Sequence, residues 1–95
     1  GAGTAPGTRV FVLDFQGEAV KALPAGAKTL VELGTSAGRV AEGYSAPNPE
    51  TGGWRISIAF DPAGADVAEL RCVLRDARDD RRAALSETWL YRWTA

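Results

Sequence analysis

Stretches in which large apolar residues occupy every second position recur along this chain. The clearest covers residues 54–60, where every second side chain, from Trp54 to Phe60, is large and apolar. Because successive side chains of a strand point to opposite faces, this pattern predicts a strand with one buried face. The same criterion predicts about seven strands, at residues 9–15, 19–23, 28–33, 39–44, 54–60, 67–76 and 85–93.

Turn-forming residues separate the predicted strands at intervals of roughly 8–12 residues, which is typical of an antiparallel sandwich. No window favours a long helix. The sequence therefore predicts an all-β fold, an immunoglobulin-like antiparallel β-sandwich of about seven strands. The segment 48–53, Asn-Pro-Glu-Thr-Gly-Gly, is expected to form a well-defined loop, because Asn-Pro disfavours helix and Gly-Gly permits unusual backbone angles.

For the strand predicted at residues 28–33, the pattern does not decide which face is buried. Either Leu30 or the pair Val31 and Leu33 faces the core.

The 95 residues suffice for one domain, which we place at residues 9–95. Residues 1–8, rich in Gly, Ala and Pro, are expected to be a flexible lead-in or linker. They lack the apolar core of a signal peptide, and the chain begins without Met, so we interpret it as a fragment or a processed product.

Charge and composition narrow the class of partner. The net charge is −1, from 11 basic and 12 acidic residues, which gives no reason to expect nucleic acid or a membrane surface. No apolar run approaches the length of a membrane span. Cys72 is the single cysteine and there is no histidine, so the commonest general base and metal ligand are both missing.

Carboxylates are the remaining candidates for chemistry. Asp76, Asp79 and Asp80 lie near three arginines, which favour ionised carboxylates and oppose both a general acid and a calcium ion. We therefore expect a solvated charged turn, no catalytic residue, no metal and no cofactor. Glu87 has two interpretations, a cross-strand pair with Arg55 or Arg71, or an exposed strand glutamate.

Aromatic residues have two interpretations as well. Trp54 begins the clearest strand and is expected in the core. In the last strand, Trp89, Tyr91 and Trp93 share one face while Leu90 occupies the other. These side chains form either core plus a contact with another domain, or a sugar-stacking platform. A third possibility is a sandwich that associates with itself.

Three segments in this order resemble a known family. They are residues 9–15 (Arg-Val-Phe-Val-Leu-Asp-Phe), 48–55 (Asn-Pro-Glu-Thr-Gly-Gly-Trp-Arg) and 85–93 (Leu-Ser-Glu-Thr-Trp-Leu-Tyr-Arg-Trp). Together they resemble the C-terminal domain of the periplasmic glucans biosynthesis proteins (OpgG/OpgD, also MdoG/MdoD). Residues 77–83 depart from the family pattern, in which a shorter turn containing Gly precedes the last segment.

The resemblance implies a periplasmic protein that acts on osmoregulated periplasmic glucans, which have a β-1,2-linked glucose backbone. It implies a large N-terminal domain that carries the glucan cleft and the catalytic acids of those relatives that hydrolyse glucan. The present chain would then be an accessory, non-enzymatic domain that packs against it. The residues expected to contact the other domain or a glycan are Trp54, Trp89, Tyr91, Trp93, Asn48, Arg55 and Glu87.

Overall fold

A computed structural model describes residues 7–95, which form six strands and one short helix. Most of the predicted lead-in, residues 1–8, lies outside the described residues. The elements are β1 (Arg9–Phe15), α1 (Glu18–Lys21), β2 (Thr29–Thr35), β3 (Arg39–Asn48), β4 (Gly53–Asp61), β5 (Val67–Asp76) and β6 (Trp89–Thr94).

The strands form two antiparallel three-stranded sheets, which confirms the predicted all-β sandwich. One sheet has the order β1-β4-β3 and the other has the order β2-β5-β6. The two central strands, β4 and β5, carry the most buried residues because each has a neighbour on both sides. Within residues 7–95, no helix has the length and apolar character needed to cross a membrane.

The core lies between the sheets and is built from the alternating apolar positions of the central strands. Those with an exposed fraction of 2% or less on the inward faces are Ile56, Ile58, Phe60, Ala68, Leu70, Cys72 and Leu74. In β2, Val31 and Leu33 pack against the core, whereas Leu30 is exposed. Period-two alternation therefore predicted the buried faces well.

The prediction of an edge strand at residues 19–23 is wrong, which reduces the number of strands to six. Residues Glu18–Lys21 instead form one helical turn, closed by the Lys21 N–H bonding to the Gly17 carbonyl at 3.0 Å. Val20 is 4% exposed and packs into the core, so tertiary burial stabilises a turn too short to be stable alone.

The last strand begins later than predicted, at Trp89 instead of residue 85. The Leu85 N–H still bonds to the Leu74 carbonyl at 2.8 Å, but the Leu74 N–H donates to the hydroxyl of Ser86 at 3.0 Å. A side chain thus takes the place of a backbone acceptor. The regular β5–β6 pairing covers only Val67–Cys72 on the β5 side, opposite Thr94–Trp89.

Candidate functional site

A groove lined by aromatic side chains opens on one side of the sandwich, between the edge strands β1 and β6. We call it the aromatic groove and define it by Phe11, Trp89 and Tyr91, together with the remaining β1 residues 12–15 that line it. Its volume is about 450 Å³. On the opposite side of the sandwich β2 and β3 contact each other. The two sheets therefore approach closely along β2 and β3, whereas on the other side only side chains of β1 and β6 meet and the groove lies between the strands.

The rings in the aromatic groove form a compact set. Trp89 and Tyr91 lie two residues apart on β6, and their rings are parallel within 4°, with centroids 5.7 Å apart. Phe11 contacts both, at centroid distances of 5.7 Å to Trp89 and 5.1 Å to Tyr91, in tilted orientations. Tyr91 keeps 43% of its surface exposed, although it points toward the space between the sheets. The groove therefore presents an apolar aromatic surface to whatever enters it.

Trp93 and Trp54, also predicted as site residues, belong to the core. Trp93 is 8% exposed and meets Phe60 edge to face, with centroids 5.2 Å apart. Trp54 is 9% exposed, and its indole N–H donates to the Ser45 hydroxyl at 2.8 Å. The partner of that N–H lies inside the domain, which confirms Trp54 as a core residue. Neither ring lines the aromatic groove.

Asn48 is the buried polar residue that holds the loop before β4. Its side-chain oxygen accepts the Glu50 N–H at 3.2 Å, and its backbone carbonyl accepts the Gly52 N–H at 2.9 Å. Its amide Nδ2 donates to Asp14 at 3.2 Å, which ties the loop to β1. A side chain at Gly53 would collide with the Phe15 carbonyl, so glycine is required there for close approach. The predicted well-defined loop is therefore observed.

Arg55 pairs with Asp14 across β1 and β4. Its Nε and one terminal nitrogen donate to the two carboxylate oxygens of Asp14, at 2.8 and 3.1 Å. Hydrogen bonding from Arg55, with a smaller contribution from Asn48, lowers the pKa of Asp14 against the opposing effect of desolvation. The pair is exposed, so it determines local geometry more than it stabilises the domain.

A second groove, of about 510 Å³, lies at the end of the sandwich where α1 approaches the loop before β4. Its lining is mostly apolar and includes Val20, Leu23, Pro24, Pro47 and Trp54. Lys21 is the only charged residue in that lining. Prolines and glycines of two loops form part of the lining of this end groove. The lining lacks a cluster of polar groups that would orient a small polar ligand.

Glu87 does not form the cross-strand pair that was one of its two interpretations. Arg55 is bound to Asp14, and Arg71 donates to Glu32 at 3.0 Å. Glu87 is exposed and lines a shallow pocket beside Trp89 and Asp14. The alternative interpretation, an exposed glutamate, is therefore correct, although Glu87 precedes β6 and is not within it.

The charged turn after β5 is built as expected from local pairs. Side-chain and backbone hydrogen bonds from Arg78 lower the pKa of Asp76 to about 2. Bonds from the Arg81 N–H and guanidinium lower the pKa of Asp79. Among residues 7–95 no group of three or more His, Cys, Asp and Glu residues is arranged to hold a metal ion. Burial raises the pKa of the Cys72 thiol to about 11, which makes it a poor nucleophile.

Two residues of this region were not singled out from the sequence. Phe11 lies in the predicted strand 9–15, but nothing in the pattern showed that it would meet Trp89 and Tyr91 across the sandwich. Asp14 offered a usable signal, because it is the only acidic residue in the apolar stretch 9–15. An isolated charge in a strand often marks a cross-strand partner, here Arg55.

Comparisons with known proteins agree with one another. A family model described as "Periplasmic glucan biosynthesis protein, MdoG" matches residues 1–93. A protein from Rhodopseudomonas palustris named Glucans biosynthesis protein G is 44% identical over 86 residues, which is 90% of this chain and 16% of that protein. Proteins of the same name from Vibrio cholerae and Bradyrhizobium diazoefficiens are 38% and 36% identical, over 90% and 92% of this chain. The chain spans 14–16% of the length of these relatives.

Proposed function

Because this chain belongs to the family of periplasmic glucan biosynthesis proteins, MdoG, we propose that it is an accessory, immunoglobulin-like domain of such a protein. It works in the periplasm, in the biosynthesis of osmoregulated glucans with a β-1,2-linked backbone. It packs against a separate N-terminal domain that handles the glucan, and residues 1–8 link the two. It has no catalytic role of its own.

The observation that carries this proposal is the exposed aromatic surface of the aromatic groove. Tyr91 faces inward but remains 43% exposed, and the adjacent Leu90 is 72% exposed on the other face of the same strand. β6 thus exposes an apolar side chain on each face, with Arg92 as the charged residue of the outer face, and exposed apolar side chains of this kind are suited to cover by another protein surface. Aromatic residues are enriched at the centres of such interfaces. The same proposal includes Asn48, Trp54 and Arg55. They lie in or directly after the loop before β4, which is tied to β1 through Asp14.

Five acidic residues have lowered pKa values, which makes them unsuitable as the general acid of a glycosidase and supports an accessory role. Hydrolysis of a glycosidic bond requires one carboxylic acid that stays protonated, with a raised pKa. Hydrogen bonds from an arginine or a backbone N–H lower the pKa values of five carboxyl groups. These are Asp14, Glu32, Asp61, Asp76 and Asp79.

Titration calorimetry tests the proposal directly. The N-terminal domain of the parent protein is titrated into this chain, and into variants Tyr91→Ala and Leu30→Ala. Leu30 is a matched control because it is 45% exposed but lies on the outer face of the β2-β5-β6 sheet. We expect measurable binding that Tyr91→Ala weakens at least about tenfold, the scale of a buried interface aromatic, while Leu30→Ala leaves it unchanged. Absence of any binding by the unmodified chain would contradict the proposal.

The alternative function is that of a carbohydrate-binding module, in which Trp89 and Tyr91 stack on glucose rings of β-1,2-glucan. The parallel orientation of the two rings, within 4°, favours this alternative. Titration of β-1,2-glucan oligosaccharides while tryptophan fluorescence is followed separates the two functions. A saturable change that Tyr91→Ala abolishes would favour the binding module, whereas no change would leave the accessory role.

A further inference from the structure

The outer edge of β1 differs from the other three sheet edges. β1 pairs with β4 in unbroken register from Arg9 opposite Phe60 to Phe15 opposite Trp54. Its centre, residues 10–13, is Val-Phe-Val-Leu, with no charge, proline or bulge. Natural sheets usually protect a free edge with one of these devices, because unpaired backbone groups recruit other strands.

The other edges are protected or covered. β3 contains Pro47, which has no N–H to donate to an added strand, and a register shift between Glu42 and Tyr44, which interrupts its pairing. β2 and β3 contact each other on the closed side of the sandwich. β6 has six residues, and the charged Arg92 near its centre pairs with Glu69 of β5 at 3.5 Å. Among the edge strands within residues 7–95, only β1 combines an unbroken register with four central residues that are all apolar.

We propose that the free edge of β1 accepts one strand from the remainder of the parent polypeptide, which extends the β1-β4-β3 sheet and closes the aromatic groove. This inference rests on the proposed function and specifies how the two parts of the parent protein join. The added strand is apolar on both faces over its central residues. It runs beside β1 for at most the seven residues that β1 offers.

Because β1 has exposed residues on both faces, an added strand is a better match for its edge than a flat protein surface is. Val10 and Val12 point outward and are 61% and 60% exposed, while Phe11 points inward beside Tyr91. Side chains of an added strand alternate in the same way. One set would lie beside Val10 and Val12, and the other set would enter the aromatic groove and cover Tyr91.

The outer face of the other sheet shows what a solvated surface looks like in this domain. There Glu32 accepts hydrogen bonds from Arg71 at 3.0 Å and from Arg75 at 3.1 Å. Glu32 lies opposite Val73, and Val73 is 2% exposed, so these paired charges cover the apolar residue beneath them. Val10 and Val12 have no such cover. The nearest ion pair on their face, Asp14 with Arg55, lies at the end of β1.

The occupant is assigned to the parent polypeptide because most of that polypeptide lies outside this chain. The chain corresponds to 16% of the Rhodopseudomonas palustris relative. A covalently attached segment is present at an effective concentration of about millimolar, which favours it over a separate molecule. With a net charge of −1 the domain offers little long-range attraction, so the contact depends on apolar burial and backbone hydrogen bonds.

Hydrogen exchange measured by mass spectrometry tests the added strand on the full-length parent protein and on this chain. Alternate N–H groups of an edge strand point away from its partner and exchange quickly when unpaired. We expect these β1 amides to exchange at least about tenfold more slowly in the full-length protein, with β3 amides unchanged. Equal β1 exchange in the two samples would overturn the proposal.

Two lysine variants of the full-length protein provide the matched control. Val12→Lys places a charge at the centre of the β1 edge, and Leu30→Lys places one on the outer face of β2, where the side chain is already 45% exposed. We expect Val12→Lys to restore fast β1 exchange and Leu30→Lys to leave it slow. Val10→Lys serves as a second β1 variant if Val12→Lys fails to fold.

The remaining outcomes identify other occupants. Protection of β1 in the isolated chain that grows with its concentration would assign the edge to a second copy. Protection that appears only when β-1,2-glucan is added would assign the groove to the glucan. Either result would overturn the strand proposal. If Tyr91→Ala weakens binding of the N-terminal domain while β1 amides stay fast, the proposed function stands and the added strand is wrong.

Discussion

Trp93 and Tyr91 occupy the same face of the same strand, two residues apart, yet they have different surroundings. Trp93 is 8% exposed, lies opposite Ala68 and contacts Phe60 of the central strand β4. Tyr91 is 43% exposed and contacts Phe11 of the edge strand β1. An inward direction is therefore not sufficient for burial. The opposing sheet must also reach across, and at Tyr91 only the edge of that sheet does so.

The largest expected effect comes from truncating these two rings. Trp93→Ala should lower the free energy of unfolding by about 3–5 kcal/mol, because it removes a large core side chain and leaves a cavity. Tyr91→Ala in the isolated chain should lower it by about 1 kcal/mol or less, because much of that ring is already in water. Urea denaturation of both variants gives the comparison. Equal losses would show that the aromatic groove belongs to the core.

The second effect concerns Asn48. This buried residue donates a hydrogen bond to Asp14 of β1, which lines the aromatic groove. Asn48→Ala should lower the free energy of unfolding by about 1–3 kcal/mol, because it removes two partly buried hydrogen bonds, with the Glu50 N–H and with the Asp14 carboxylate. Thr51→Ala is the control in the same loop. It removes one bond, to the Gly53 N–H, from an exposed residue and should cost less. A greater loss from Thr51→Ala than from Asn48→Ala would contradict this account.

The smallest effect is the pH dependence of the charged turn. Arg78 lowers the pKa of Asp76 in the folded state to about 2, below its ordinary value of 3.8. A lowered folded-state pKa means that the stabilisation is complete above pH 4 and is lost as the pH falls toward 2. Asp76→Asn should therefore flatten the fall of stability in this window, as followed by thermal unfolding at several pH values.

Asp80→Asn provides the control for that measurement, because Asp80 lies in the same turn and forms no salt bridge among residues 7–95. It should retain the slope of the unmodified chain between pH 4 and pH 2. If Asp80→Asn flattened the slope as much as Asp76→Asn, the effect would belong to the net charge of the turn. The pair with Arg78 would then not be its cause.

Five of the seven site residues expected from the sequence separate into three groups, while Asn48 and Arg55 both bond to Asp14. Trp54 and Trp93 are core, Trp89 and Tyr91 line the open groove, and Glu87 is exposed without the predicted arginine partner. Alternation placed all three β6 aromatics on one face, which was correct. It could not separate Trp93 from Tyr91, because a period of two specifies a direction and contains no information about the opposite sheet.

The sequence by itself determined the class of fold, the buried faces of the central strands, the loop before β4 and the family. These depend on local properties, namely side-chain alternation, the restrictions of Pro and Gly, and motifs long enough to be specific. Only the tertiary structure decided that residues 18–21 form a helical turn, that Asp14 pairs with Arg55, and that a groove lies between β1 and β6. Each of these depends on which residues meet across the sandwich, and contacts between distant segments leave no periodic signal in the chain.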